Sequence, residues 1–144
     1  NNLAHSQRVD GFRDEAASRF PDLELLPTEN CGDDQKLAHD IVCRALREHP
    51  DLGGVYISVN GQIGACEALT EMNAAGRVRL ICHDLIPANI ENVRRGVIDF
   101  LIDQDAHMQG NRPTELLLDY LLCGDKPESD RILAHIDIRN RYNV

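Results

Sequence analysis

Val55-Tyr56-Ile57-Ser58-Val59-Asn60-Gly61-Gln62-Ile63-Gly64-Ala65 starts as a short β-branched, apolar run. It passes through one amide and a glycine into a stretch whose apolar residues, Ile63, Ala65, Leu69 and Met72, recur at helical spacing. That is a strand leading at once into a helix. The pattern occurs twice more: Val78 to His83 ends at Asp84, and Val97 to Asp103 ends at Gln104. Strands alternating with helices imply βαβ units and a mainly parallel sheet. In such a sheet the residues just past the strand ends collect along one edge, where open α/β sheets bind ligands. Asn60, Asp84 and Gln104 offer that edge hydrogen-bond donors and acceptors but no nucleophile, which suits a hydroxyl-rich small molecule better than catalysis.

Outward from these units, Val9, Phe12, Ala16 and Phe20 mark a first helix that Pro21 stops. Phe12 is expected in the core. Leu23 to Leu26 is a short strand candidate. Asp33 or Asp34 caps a second helix with a stripe of Leu37, Ile41 and Ala45, flanked by Ala38, Val42 and Leu46. Pro87 suits the first turn of a helix that Gly96 closes. A last helix is built on Leu116, Leu117, Tyr120 and Leu121, and Ile132 to Ile138 alternates like a partly exposed strand. The chain opens with a helix, so the first strand of a doubly wound sheet is missing. In a 2-1-3-4-5 order its loss leaves a gap.

The 144 residues suffice for one domain with a core. Fifteen Lys and Arg against 24 Asp and Glu give a net charge of −9, which disfavours direct contact with nucleic acid. No segment reads as membrane-spanning, and the start has no apolar signal region. The missing initiator Met suggests a chain cut from a longer one. Five cysteines without a CxxC pair (Cys31, Cys43, Cys66, Cys82, Cys123) read as reduced thiols and favour the cytosol. Cys82 and His83 are neighbours on a strand and point to opposite faces, so they cannot share a catalytic or metal site. His39 and His49 read as exposed or capping residues. Neither a metal nor a cofactor is expected. A flavodoxin-like or Rossmann-like enzyme would need a phosphate loop or an activated nucleophile, and Gly61-x-x-Gly64 is too weak an echo of one.

The order of motifs carries further information. Arg8-Val9-Asp10-Gly11-Phe12 is followed by His49-Pro50-Asp51, Val59-Asn60-Gly61-Gln62-Ile63-Gly64-Ala65, Ile81-Cys82-His83-Asp84, Ile102-Asp103-Gln104-Asp105 and Ile136-Asp137-Ile138-Arg139. Over its whole length the chain resembles the effector-binding region of lac-repressor-type (LacI/GalR) transcriptional regulators, which share the type 1 periplasmic-binding-protein fold. The resemblance implies a Rossmann-like three-layer α/β/α lobe. Residues 1–104 would form the carboxyl-terminal lobe of an effector domain, and residues 105–144 would cross to the amino-terminal lobe and return. It implies a non-enzymatic, cytoplasmic, homodimeric regulator that binds a sugar or polyol between lobes and reaches operator DNA only through a separate headpiece. The ligand contacts it implies are Arg8, Asn60, Asp84 and Gln104. The alternative is a periplasmic sugar-binding protein of a transporter.

Overall fold

The computed structural model describes residues 3–144. Five helices and four strands alternate as α1 (Leu3–Arg19), α2 (Gln35–Glu48), β1 (Gly54–Ile57), α3 (Gln62–Glu71), β2 (Arg79–His83), α4 (Pro87–Arg94), β3 (Phe100–Asp103), α5 (Ala106–Cys123) and β4 (Asp137–Arg139). The sheet runs β1-β2-β3-β4, with the first three strands parallel and β4 antiparallel to β3. The fold is an α/β domain with a mainly parallel, open sheet.

Strand alternation divides the sheet into two unlike faces. Leu80 and Cys82 of β2 and Leu101 of β3 are fully buried, in one cluster with Val42 and Leu46 of α2, Leu69 of α3 and Val93 of α4. Burying each such aliphatic side chain contributes roughly 1.5–3 kcal/mol. The other face carries Tyr56, Ile81, His83, Phe100 and Ile102, and its cover is thin. α1 touches it through Phe12, whose ring stacks on Tyr56 with centroids 4.7 Å apart. Among the described residues of α1 only Ala16 is buried.

Local chemistry sets the element ends. Asp34 caps α2 by accepting from the Leu37 amide at 2.9 Å. Pro87 opens α4, and Gly96 follows that helix with a φ of 75°. The buried stripe of α2 is Ala38, Val42 and Leu46 with Cys43, one position round from the Leu37 stripe expected, and Leu37 is exposed. The cause is the close approach of α3. A Cβ on Gly64 would lie 1.8 Å from the Gln35 carbonyl oxygen, so only a glycine lets the two helices meet there.

Five other expectations are corrected. Phe12 is not core: it is 37% exposed, because it covers Tyr56 from outside the main cluster. Leu23 to Leu26 is irregular chain without a strand partner. The four strands are therefore contiguous and hold no internal gap, and β1 forms the sheet edge. β3 begins at Phe100 instead of Val97, because the Asp99 carboxylate takes the Leu80 amide at 2.9 Å and ends the ladder there. Of the last strand candidate only Asp137 and Ile138, with Arg139, pair with β3.

Candidate functional site

The carboxyl ends of β1, β2 and β3 lie side by side, and the first helix reaches across them. Arg8 of α1 donates to the Ser58 carbonyl at 2.8 Å and to the Gln104 side-chain oxygen at 2.8 Å. The Gln104 amide nitrogen donates in turn to the Asp84 carboxylate at 2.9 Å. Guanidinium, amide and carboxylate thus form one directed chain across the ends of three strands. The Arg8 donor fixes which way the Gln104 amide faces, since its oxygen must meet the guanidinium.

Asp84 is held in an unusual conformation. Its φ is 73°, in the left-handed region, where a non-glycine residue carries strain of about 1–3 kcal/mol. The fully buried Asn89, on α4, donates to the carbonyls of His83 and Asp84 at 3.2 and 2.9 Å. The Asp84 amide donates to the Ile102 carbonyl at 3.1 Å. These bonds turn the chain sharply after β2 and leave the Asp84 carboxylate on the rim.

The same rim opens into a cleft of ≈ 790 Å³ lined by Arg8, Asp84, Leu85, Ile86, Asp103, Gln104, Asp105, His107 and Gln109, among others. Its acids are not equivalent. Asp103 accepts from the Asp105 amide at 3.2 Å and pairs with Arg139 at 3.6 Å. Asp105 caps α5 by accepting from the Met108 amide at 2.9 Å. Asp84 accepts one side-chain bond, from Gln104, and a carboxylate has roughly four acceptor positions. An acceptor-rich, acidic cleft favours neutral ligands with many hydroxyl groups and repels phosphates.

Of the four residues singled out in the sequence, three are joined directly: Arg8, Gln104 and Asp84. Asn60 lies on the same rim, just beyond Ser58, but its side chain is exposed and makes no hydrogen bond among the described residues. Its carbonyl accepts from the Cys31 thiol at 3.3 Å. Gly61 follows with a φ of 118°, and a Cβ there would sit 3.0 Å from that of Ala38. This explains a glycine at that turn.

Sequence reasoning missed Tyr56 and Asn89. Tyr56 lies beneath Phe12, and its hydroxyl is 2.8 Å from His83 Nε2. Burial, with the Arg8 charge nearby, pushes the His83 pKa down to about 4, so its imidazole is neutral near pH 7. Cys82, on the opposite face of β2, is buried in the core, where its thiol pKa is pushed far up. The two therefore share no site, as their adjacency on a strand requires. Among the described residues, no thiol or hydroxyl side chain lines the cleft.

This fold is an α/β domain with a mainly parallel, open sheet and a cleft at its strand ends. The chain belongs to the periplasmic binding protein domain family, which it matches over residues 1–126. It is similar to the xylose/arabinose-binding protein XylF of Sulfolobus acidocaldarius, at 26% identity over 121 residues covering 80% of this chain and 29% of that protein. In structure it is similar to an ABC transporter solute-binding protein from Agrobacterium vitis bound with α-D-tagatopyranose. That match has a TM-score of 0.87 and 22% identity, and covers 96% of this chain and 46% of the other. It is also similar to the sugar-binding protein of a sugar ABC transporter from Bacillus halodurans, with a TM-score of 0.87, 21% identity, and 99% of this chain and 53% of the other covered. At such identities the structural likeness establishes the fold. The chain spans under a third of the curated relative's length and about half of each similar structure.

These relatives are sugar-binding proteins rather than enzymes or lac-type regulators. The expected cytoplasmic location is overturned by the same finding, because the family is that of periplasmic binding proteins and the similar structures come from ABC transporter systems. The buried cysteines do not mark a compartment. Cys43, Cys66 and Cys82 are buried, and burial raises each thiol pKa, that of Cys66 to about 12. Thiols that do not ionise react slowly in any compartment, so the unpaired state of these three says nothing about location. No helix among the described residues is long and apolar enough to cross a membrane.

Proposed function

We propose that Arg8, Asp84 and Gln104, with Asn60 beside them, bind the hydroxyl groups of a pyranose sugar, and that the chain is the carboxyl-terminal lobe of a transporter's sugar-binding protein. The directed chain from Arg8 through Gln104 to Asp84 carries this reading. It holds a carboxylate, an amide and a guanidinium rigidly on one rim, so little ordering entropy remains to be lost when a ligand arrives. Each neutral hydrogen bond to a sugar hydroxyl contributes about 0.5–1.5 kcal/mol and each charged one about 1.5–3. Reaching micromolar affinity, about −8 kcal/mol, then needs a facing surface as well.

That surface would be a second lobe. On this reading residues 1–104 form one lobe and residues 105–144 cross to the other and return through β4. Support comes from α5, which buries none of its residues and leaves Leu117, Leu118, Leu121 and Leu122 exposed. A lac-type regulator would use the same fold, but the relatives named above are a sugar-binding protein and binding proteins of ABC transporters.

Thermal unfolding of the two-lobed protein tests the reading. D-xylose, L-arabinose, D-galactose or D-tagatose should raise the melting temperature in a concentration-dependent way, reaching about 2.7 kcal/mol of stabilisation at a hundred times Kd. Stabilisation by amino acids or nucleosides alone, with every pyranose inert, would refute it.

A further inference from the structure

Three metal-ligating side chains converge between α2 and α3. His39 and Cys43 are four residues apart and share one face of α2. Glu71 is the last residue of α3. His39 Nε2 lies 3.0 Å from Glu71 Oε2 and 3.6 Å from Cys43 Sγ, and the three donor atoms all lie within 4.8 Å of one another. We propose that His39, Cys43 and Glu71 form a binding site for a borderline-soft divalent cation, best fitted by Zn²⁺, that ties α2 to α3.

The spacing suits this ion. With zinc–nitrogen, zinc–oxygen and zinc–sulfur bonds of about 2.0–2.3 Å, tetrahedral donors stand roughly 3.4–3.6 Å apart. Little movement would therefore bring the three atoms onto one cation, with water as fourth ligand. The donor set of one thiolate, one imidazole and one carboxylate selects zinc-like ions over calcium or magnesium.

A second observation points the same way. The other ring nitrogen of His39, Nδ1, lies 3.1 Å from Asp40 Oδ1. A carboxylate behind the ring is the usual support of a metal-binding histidine: it fixes the tautomer that leaves Nε2 free for the ion and raises its basicity. Without metal, one Nε2 proton can serve Glu71, yet the Cys43 sulfur converges on the same point. Cys43 is buried, so the ligand least suited to solvent is shielded from it. On binding, the Cys43 thiol and the protonated His39 Nε2 each give up a proton to solvent, and bonds to the metal replace both; no oxidation or reduction occurs.

Cobalt(II) titration of the reduced protein tests the site, since a thiolate ligand produces a charge-transfer band that Zn²⁺ then abolishes. One Co²⁺ per chain should give the band, and Zn²⁺ should raise the melting temperature. Cys43→Ser should remove the band, while Cys31→Ser and Cys123→Ser keep it. Asp40→Asn should weaken binding by about 10–100-fold, and Glu71→Gln by at least tenfold. If Cys43→Ser fails to fold, the exposed Asp40 and Glu71 variants carry the test. No band in the unaltered protein, a band that survives in folded Cys43→Ser, or unchanged affinity in both Asp40→Asn and Glu71→Gln would overturn the proposal.

Discussion

Gln104 and Asp84 end adjacent parallel strands, and the side-chain amide of the first donates to the carboxylate of the second across 2.9 Å. The bond turns two strand ends into one surface. Arg8 holds the far side of the same amide, so the orientation of Gln104 depends on a residue nearly a hundred positions earlier. The rim is thus a tertiary construction, even though its parts sit at local strand ends.

Arg8 is therefore expected to matter for structure as well as for ligand. α1 buries Ala16 and stacks Phe12 on Tyr56, and Arg8 adds two hydrogen bonds to the strand ends. Arg8→Ala should speed hydrogen exchange across α1 by at least tenfold, the equivalent of one charged hydrogen bond at about 1.5–3 kcal/mol. Arg8→Lys should restore little, because an ammonium lacks the planar fork that reaches both acceptors. Exchange in α1 that is the same in all three proteins would show that the helix is held by other means.

Gly64 is the tightest point between α2 and α3. Gly64→Ala places a Cβ 1.8 Å from the Gln35 carbonyl oxygen and 3.0 Å from the His39 amide, and both are backbone atoms that cannot swing aside. Overpacking of this kind should cost about 1–3 kcal/mol or more, read as a lower urea midpoint. A loss below about 0.5 kcal/mol, the size of an ordinary surface change, would mean that the helices separate freely.

Much of this was legible in the sequence because it depends on local chemistry. The βαβ alternation, the Asp34 cap, Pro87 at the start of α4 and the polar residues closing each strand are written in short spacings. What was not legible depends on distant partners. Whether Leu37 or Ala38 faces inward on α2 is decided by Gly64, far along the chain. Leu23 to Leu26 has strand composition but no neighbour to pair with. Phe12 has core composition but sits where the sheet face is thinly covered. Asn89 looks like any helical asparagine until the chain turns at Asp84 and brings two carbonyls to it. The meeting of His39 and Cys43 with Glu71 needs two helices packed side by side, although the four-residue spacing of the first two was a usable hint.

His83 should leave a mark on stability at mildly acid pH. Its pKa falls from 6.5 to about 4 on folding, through burial and the nearby Arg8 charge. Between those values the unfolded chain binds more protons than the folded one, so stability rises with pH. The contribution of neutral His83 is complete above pH 6.5 and is lost as pH falls toward 4. The difference in unfolding free energy between the protein and His83→Gln should therefore grow from pH 4 to pH 6.5. A difference that stays flat across that range would mean that the imidazole does not titrate as its burial implies.

The most direct test is calorimetric titration of the proposed two-lobed protein and its Asp84→Asn variant with whichever pyranose stabilises it. Asparagine tolerates the left-handed backbone at this position and retains the side chain's size, so the fold should survive while the charged acceptor is lost. Binding should be at least tenfold weaker in Asp84→Asn, matching the roughly 1.5–3 kcal/mol of one charged hydrogen bond. An affinity unchanged in Asp84→Asn would contradict the assignment of this rim as the sugar site.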